Sequence, residues 1–174
     1  PDAPGLRPTP DRVRETLFNW LAPVIRGARC LDLFAGSGAL GLEALSRGAA
    51  EVVLVDSQAA VVAQLRQNLA LLQAGERGRA VLADARDWLD RSEDGGEAGP
   101  PFDIVFLDPP YQRNLLQPCI DALYRQARLR SPGWLYFECN RDEALPDLPP
   151  DWQLQRQKTA GQIRYCLVRG QEQG

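Results

Sequence analysis

The chain has 174 residues, 44% of them hydrophobic and 25% charged, which fits one soluble domain with a sizeable core. No apolar run approaches the roughly 20 residues of a membrane helix, and no secretory signal is visible. The absence of His removes Ser-His catalysis and HExxH metal chemistry, and the four scattered cysteines form no CxxC pair.

Other bulk features set weaker expectations. The chain starts at Pro1, so we expect the native amino terminus to be cut or incomplete. The reduced thiols of a cytosolic protein are the simplest reading of Cys30, Cys119, Cys139 and Cys166. The net charge of −3 argues mildly against a nucleic-acid partner. Its distribution softens that: residues 1–29 hold five Arg against Asp2, Asp11 and Glu15. Residues 152–174 hold Arg156, Lys158, Arg164 and Arg169 against Glu172. Arginine suits bidentate phosphate contacts, although genome base composition produces the same bias.

Along the chain, Thr9-Pro10 reads as a helix start, followed by Val13, Leu17, Phe18, Trp20 and Leu21 at helical spacing up to Pro23. Cys30–Phe34 is expected as a strand, Leu40–Ser46 as a helix and Glu51–Asp56 as a strand. Ala59–Gln73 is a helix, Arg79–Leu82 a strand and Ala85–Asp90 a short helix. Residues 92–101 are polar and rich in Gly and Pro, an exposed loop. Phe102–Asp108 follows as a strand, Leu115–Leu129 as a helix and Trp134–Cys139 as a strand. Trp152–Lys158 and Ile163–Val168 close the chain as an antiparallel hairpin. Alternating strands and helices predict an α/β fold, a mostly parallel sheet covered on both faces. We expect one domain over 1–174, with 1–28 an amino-terminal segment and helix and 29–174 the core.

Ligands of such sheets bind beyond the carboxyl ends of the strands. The unusual polar residues sit there: Asp32 to Gly38, Asp56, Asp84, and Asp108 to Tyr111. Gly36, Gly38 and Gly41 match GxGxxG after a strand, and Asp56 lies 20 residues beyond Gly36. Alone this is a dinucleotide fingerprint. S-adenosylmethionine uses a similar loop without a pyrophosphate, and an acid at Asp32 suits its cationic ammonium better than it suits phosphate. Asp56 could accept from ribose hydroxyls, and Asp84 could meet the adenine amine. Phe34, Ser57 and Ala85 flank these acids and complete the expected cofactor contacts. Asp56 and Asp84 would also serve as plain helix caps.

Asp108-Pro109-Pro110-Tyr111 ends a buried strand with an acid, two prolines and an aromatic ring. An exocyclic amine on a nucleobase has its lone pair delocalised into the ring. The Asp108 carboxylate and the Pro109 carbonyl can accept its two N–H bonds and turn the lone pair toward a methyl donor. Tyr111 can stack on the base, and the prolines stiffen the segment. Such catalysis is mostly positioning.

Arg7 to Leu21 (RPTPDRVRETLFNWL) resembles the signature of RsmD-type bacterial 16S ribosomal RNA guanine-N2 methyltransferases. Leu31–Gly48, Val53–Asp56 and Asp103–Tyr111 match the same family in order and spacing. The resemblance implies a three-layer, Rossmann-like class I methyltransferase fold with a seven-stranded sheet. It implies S-adenosylmethionine as cofactor, no metal, and N2 of one guanine in 16S ribosomal RNA, within an assembling small subunit, as target. It assigns Asp32, Gly36 and Gly38 to the methionine part, Asp56 to the ribose, Asp84 to the adenine side and Asp108–Tyr111 to the guanine. Arg7, Arg12 and Arg14 become candidates for RNA contacts, against a plain solvated helix face. A cytoplasmic monomer suffices. The alternatives are an adenine-N6 or cytosine-N4 methyltransferase, an NAD-dependent oxidoreductase using Gly36–Gly41, and an inert RNA-binding module.

Overall fold

A computed structural model describes residues 11–91, 99–110 and 114–171. Arg7, the Thr9-Pro10 helix start and Tyr111 lie outside the described residues. In chain order the elements are α1 (Asp11–Leu21), β1 (Arg29–Leu33), α2 (Ala39–Ser46), β2 (Glu51–Asp56) and α3 (Ala59–Leu71). They continue with a 3₁₀ turn at Gly75–Arg77, β3 (Gly78–Leu82), α4 (Ala85–Arg91), β4 (Phe102–Leu107) and α5 (Leu116–Arg125). β5 (Leu129–Asn140), β6 (Trp152–Ala160) and β7 (Ile163–Gly170) complete the chain.

The strands form one seven-stranded sheet in the order β3-β2-β1-β4-β5-β7-β6. Pairings are parallel from β3 through β5. β7 runs antiparallel to both β5 and β6. The order reverses between β1 and β4, which is where a doubly wound sheet opens its ligand crevice.

Strand alternation divides the core into two layers. Cys30, Val52, Leu54, Ile104, Phe106 and Tyr136 face α1, α2 and α3, whose Leu17, Phe18, Leu45, Val62 and Leu65 are buried against them. Leu31, Leu33, Val53, Val105, Leu107 and Phe137 face α4 and α5, packed on Trp88, Leu89, Ile120 and Leu123. The central strands are buried on both faces, which explains their nearly unbroken apolar runs. α1 is amphipathic. Its ring contacts, Phe18 to Phe106 at 5.9 Å and Trp20 to Tyr165 at 5.4 Å, fix it across β4 and β7. Burying a Leu or Phe side chain in this way stabilises the fold by about 1.5–3 kcal/mol.

Several boundaries depart from the sequence reading. β1 stops at Leu33 because Phe34 turns to φ 60°, so Phe34 opens the loop. α5 ends at Arg125, not Leu129, because Ala127 takes φ 52°. β5 starts at Leu129, five residues before Trp134, and its register with β4 is interrupted between Leu129 and Trp134. Gly133 fills that irregularity tightly: a Cβ there would lie 2.3 Å from the Arg130 carbonyl oxygen. The hairpin is longer than expected and turns through Gly161 and Gln162.

At the amino ends of the strands, Arg29 and Arg128 bracket the Phe102 ring at 4.3 and 5.8 Å. Arg128 donates to the carbonyls of Gly99 and Pro100, and the Arg29 amide donates to Asp103. These arginines tie down the entry to β4, at the end of the sheet opposite Asp108.

Candidate active site

The loop after β1 is built around two carboxylates that hold backbone amides. Asp32 is 3% exposed and its Oδ2 accepts from the Gly41 amide at 2.9 Å. That bond caps the first turn of α2, whose N-cap residue Gly38 has no side chain to do it. Asp56 uses both oxygens, Oδ2 for the Gly36 amide at 3.0 Å and Oδ1 for the Gln58 amide at 3.0 Å. The ends of β1 and β2 are thus locked together through one side chain.

The three glycines do different things. Gly36 sits at φ 55° and a Cβ there would meet only the Phe34 carbonyl oxygen, at 4.0 Å, so open space lies beside it. Gly38, at φ 80°, faces the protein: a Cβ would come within 2.6 Å of Leu65 Cδ2 and 3.1 Å of Leu42 Cδ1. Whatever Gly38 offers a ligand therefore comes from its backbone. Gly41 lets α2 lie against β1 and β2, with Leu54 Cδ2 at 2.8 Å and Asp32 Oδ2 at 3.0 Å from the Cβ position. Gly38→Ala combines left-handed strain with a clash, and should lower unfolding free energy by about 2–4 kcal/mol in urea denaturation. A loss below about 0.5 kcal/mol would contradict this packing.

Asp84 is exposed and its Oδ1 accepts from the Asp87 amide at 3.0 Å, the capping role foreseen for it. Ala85 behind it is buried, and Ser57 is exposed beside Asp56. Asp32 is the penultimate residue of β1, Gly36 lies in the loop after it, Asp56 ends β2 and Asp84 lies in the β3–α4 turn, so all four sit toward the carboxyl ends of adjacent strands.

β4 delivers Asp108 one residue beyond its last strand position, followed by buried Pro109 and exposed Pro110. Phe106 pairs with Asp32 on β1 and with Tyr136 on β5. Alternation then puts Asp108 on the face of Asp32, Phe106 and Tyr136, the face that α1 covers.

Sequence reasoning found the strand β5 but assigned it no site residue. Glu138 is a lone acid in the strand Trp134–Cys139, and Tyr136 donates its hydroxyl to Glu138 Oε2 at 2.7 Å. An ionisable residue within an otherwise apolar central strand was the available signal. Asp32, Asp108 and Glu138 therefore line one face across β1, β4 and β5.

Burial first, then the neighbouring charge of Glu138 and that of Asp32, raise the Asp108 carboxyl well above the ordinary carboxylate range. Burial and the charge of Asp56 push Asp32 up to about 8, against the opposing bond from Gly41. Burial, then Glu138, also raises the Tyr136 phenol, which keeps it a donor. The cluster concentrates acceptors and asks for partners that are cationic or rich in N–H. The cysteines are buried, and burial lifts Cys119 and Cys166 to about 12, so none is poised as a nucleophile. Among the described residues no group of His, Cys, Asp or Glu is arranged to hold a metal ion. No described helix is long and apolar enough to cross a membrane.

Of the arginines, Arg12 is exposed on α1. Arg14 pairs with Asp11 at 2.9 Å and reaches Glu43 on α2 at 3.8 Å. Its pairing matches the plain helix-face reading as well as a place near the pocket.

Comparison with known proteins supplies an independent line. A family model described as Conserved hypothetical protein 95 matches residues 1–169. The chain is 51% identical over 174 residues to the ribosomal RNA small subunit methyltransferase D of Escherichia coli strain K12, covering all of this chain and 84% of that protein. The corresponding Haemophilus influenzae protein is 42% identical over 164 residues, 94% of this chain and 82% of that one. The solved structure of Escherichia coli yhhF superimposes with a TM-score of 0.85 at 48% identity, covering 95% of this chain and 92% of that one. A more distant methyltransferase fold, solved in complex with SAH, has a TM-score of 0.72 over 90% of this chain and 49% of that one. At 15% identity it speaks for the fold alone.

Proposed function

The chain belongs to the RsmD-type family of ribosomal RNA small-subunit methyltransferases, and from that premise we propose that it methylates the exocyclic N2 of one guanine in 16S ribosomal RNA. The donor is S-adenosylmethionine, which when bound supplies an electrophilic sulfonium methyl. The observation that carries this is that Asp108 ends β4 two residues beyond Phe106, the partner of Asp32 on β1, close enough to feel its charge, so that an amine acceptor lies near an acid suited to a cation.

The residues at the strand ends suit such a donor. Asp32 is a buried carboxylate whose raised proton affinity a cationic ammonium would offset. The open space beside Gly36 admits a ligand against the backbone. Asp56 holds one amide with each oxygen and keeps lone pairs that can accept ribose hydroxyls. Asp84, backed by the buried Ala85 and with Ser57 and Phe34 near it, borders the adenine side.

The acceptor half follows from elementary base chemistry. The Asp108 carboxylate and the Pro109 carbonyl accept the two N–H bonds of the guanine amine, which localises the nitrogen lone pair. Once that nitrogen is alkylated its proton is acidic, so Asp108 needs only to accept it. Tyr111 stacks on the base. A guanine in a single-stranded loop can be splayed out to reach the cluster, and one in a duplex would have to flip. Arg7 and Arg12 contact the RNA backbone, and Arg14 orders the α1–α2 side of the pocket. The protein works as a monomer on an assembling small subunit.

Small subunits lacking the modification, incubated with the protein and labelled S-adenosylmethionine and digested to nucleosides, should yield labelled N2-methylguanosine. Label in N6-methyladenosine or N4-methylcytidine would overturn the guanine assignment.

A further inference from the structure

We propose that Glu138 makes the acceptor pocket selective for guanine by accepting the ring N1–H while Asp108 accepts from the adjacent amine; this rests on the guanine assignment above.

Placement comes first. Leu107 pairs with Phe137 in the parallel ladder, so the next residues on the two strands are Asp108 and Glu138. Both lie on the face of Phe106 and Tyr136. Glu138 is also opposite Tyr165 on β7, a buried ring stacked at 5.4 Å on Trp20 of α1. The Tyr136 hydroxyl, from a fully buried side chain, holds Glu138 Oε2 at 2.7 Å. The carboxylate is therefore oriented from below and walled on one side.

The chemistry selects the base. Guanine presents N1–H beside its N2 amine, two neighbouring donor sites. Adenine flanks its N6 amine with the N1 lone pair, and cytosine flanks its N4 amine with the N3 lone pair. Two carboxylates side by side attract the first pattern and repel the other two. One carboxylate alone, as in Asp-Pro-Pro-Tyr, would accept any of the three amines. Rejection by a site built for a hydrogen bond it then fails to make is strong.

The test uses 2-aminopurine, which keeps the 2-amine but has a lone pair at N1. Small subunits are reconstituted around 16S RNA carrying guanine or 2-aminopurine at the target position, and single-turnover rates are measured with saturating S-adenosylmethionine. The wild-type protein should prefer guanine by roughly a hundredfold. Glu138→Gln, whose amide can donate to N1, should bring the two rates within a few-fold, through a slower guanine rate and an undiminished 2-aminopurine rate. Tyr136→Phe leaves the carboxylate in place but unaimed, and should shrink the preference about tenfold. Preference retained in both variants would overturn the role of Glu138, with the guanine assignment intact. A wild-type protein that transfers nothing to guanine would instead sink the assignment on which it rests. Calorimetry with S-adenosylmethionine confirms that each variant is folded, and an unfolded Glu138→Gln leaves Tyr136→Phe to decide.

Discussion

Asp108→Asn should slow methyl transfer by about a thousandfold or more while S-adenosylmethionine binds within a few-fold of its wild-type affinity. The asparagine is nearly isosteric, so packing at the end of β4 survives. What changes is the charge and one acceptor: an amide NH₂ facing an amine NH₂ is a clash of donors. Loss of one well-placed electrostatic contact in a water-poor site costs roughly 10²–10³ in rate. Asp108 must also take the proton that the alkylated nitrogen releases, which adds to the loss. The wild-type pH profile gives a second reading. Asp108 is held well above the ordinary carboxylate range by burial and then by Glu138, so it carries its proton to higher pH than a free carboxylate. Only the ionised form accepts from the amine. The rate should therefore climb with pH through a limb above the usual carboxylate range. Single-turnover assays across pH measure both effects. An Asp108→Asn rate within tenfold of wild type would remove Asp108 from the chemistry.

The second large effect belongs to Asp32 and has opposite signs for stability and for binding. Its carboxyl is raised to about 8 in the folded chain. In the unfolded chain it ionises near the ordinary value of about 3.9. Between those values the folded state binds the proton and the unfolded state does not, so this group's contribution to stability falls as pH rises from about 4 to about 8. Below that window it is neutral in both states. Asp32→Asn removes the titration while its side-chain oxygen can still accept from Gly41. Without donor, the variant's stability relative to wild type should increase with pH through the window, by at most about 1.4 kcal/mol per pH unit. Binding goes the other way: loss of the charge facing the ammonium should weaken S-adenosylmethionine about 10- to 100-fold at pH 8. Thermal melts at pH 5 and 7.5, with and without S-adenosylmethionine, check both. Equal donor affinity in the two proteins would mean that Asp32 only braces α2.

Much of this architecture was legible because the central strands are buried on both faces and read as apolar runs between polar turns. The carboxyl-end acids stood out because they interrupt that pattern at strand ends. Backbone sign changes were less visible. Phe34, Gln73 and Ala127 take positive φ without being glycine, and the ends of β1, α3 and α5 moved accordingly. β5 was longer than its apolar stretch because Arg130 to Gly133 interrupt the ladder without ending the strand. The three loop glycines looked alike in the motif, yet packing against Leu65 and Leu54 separates Gly38 and Gly41 from Gly36, a distinction that needs tertiary neighbours. Glu138 escaped for a related reason. A single acid in a strand has no meaning until the register sets it beside Asp108 and a buried phenol.

The central claim is that this strand-end cluster places one methyl group on one guanine N2. Small subunits from a strain lacking this gene, treated with the protein and S-adenosylmethionine and mapped by mass spectrometry of 16S RNA fragments, test it most directly. The predicted result is N2-methylguanosine at a single position, approaching one methyl per particle. Methylation spread over several positions, or found on adenine or cytosine, would contradict it.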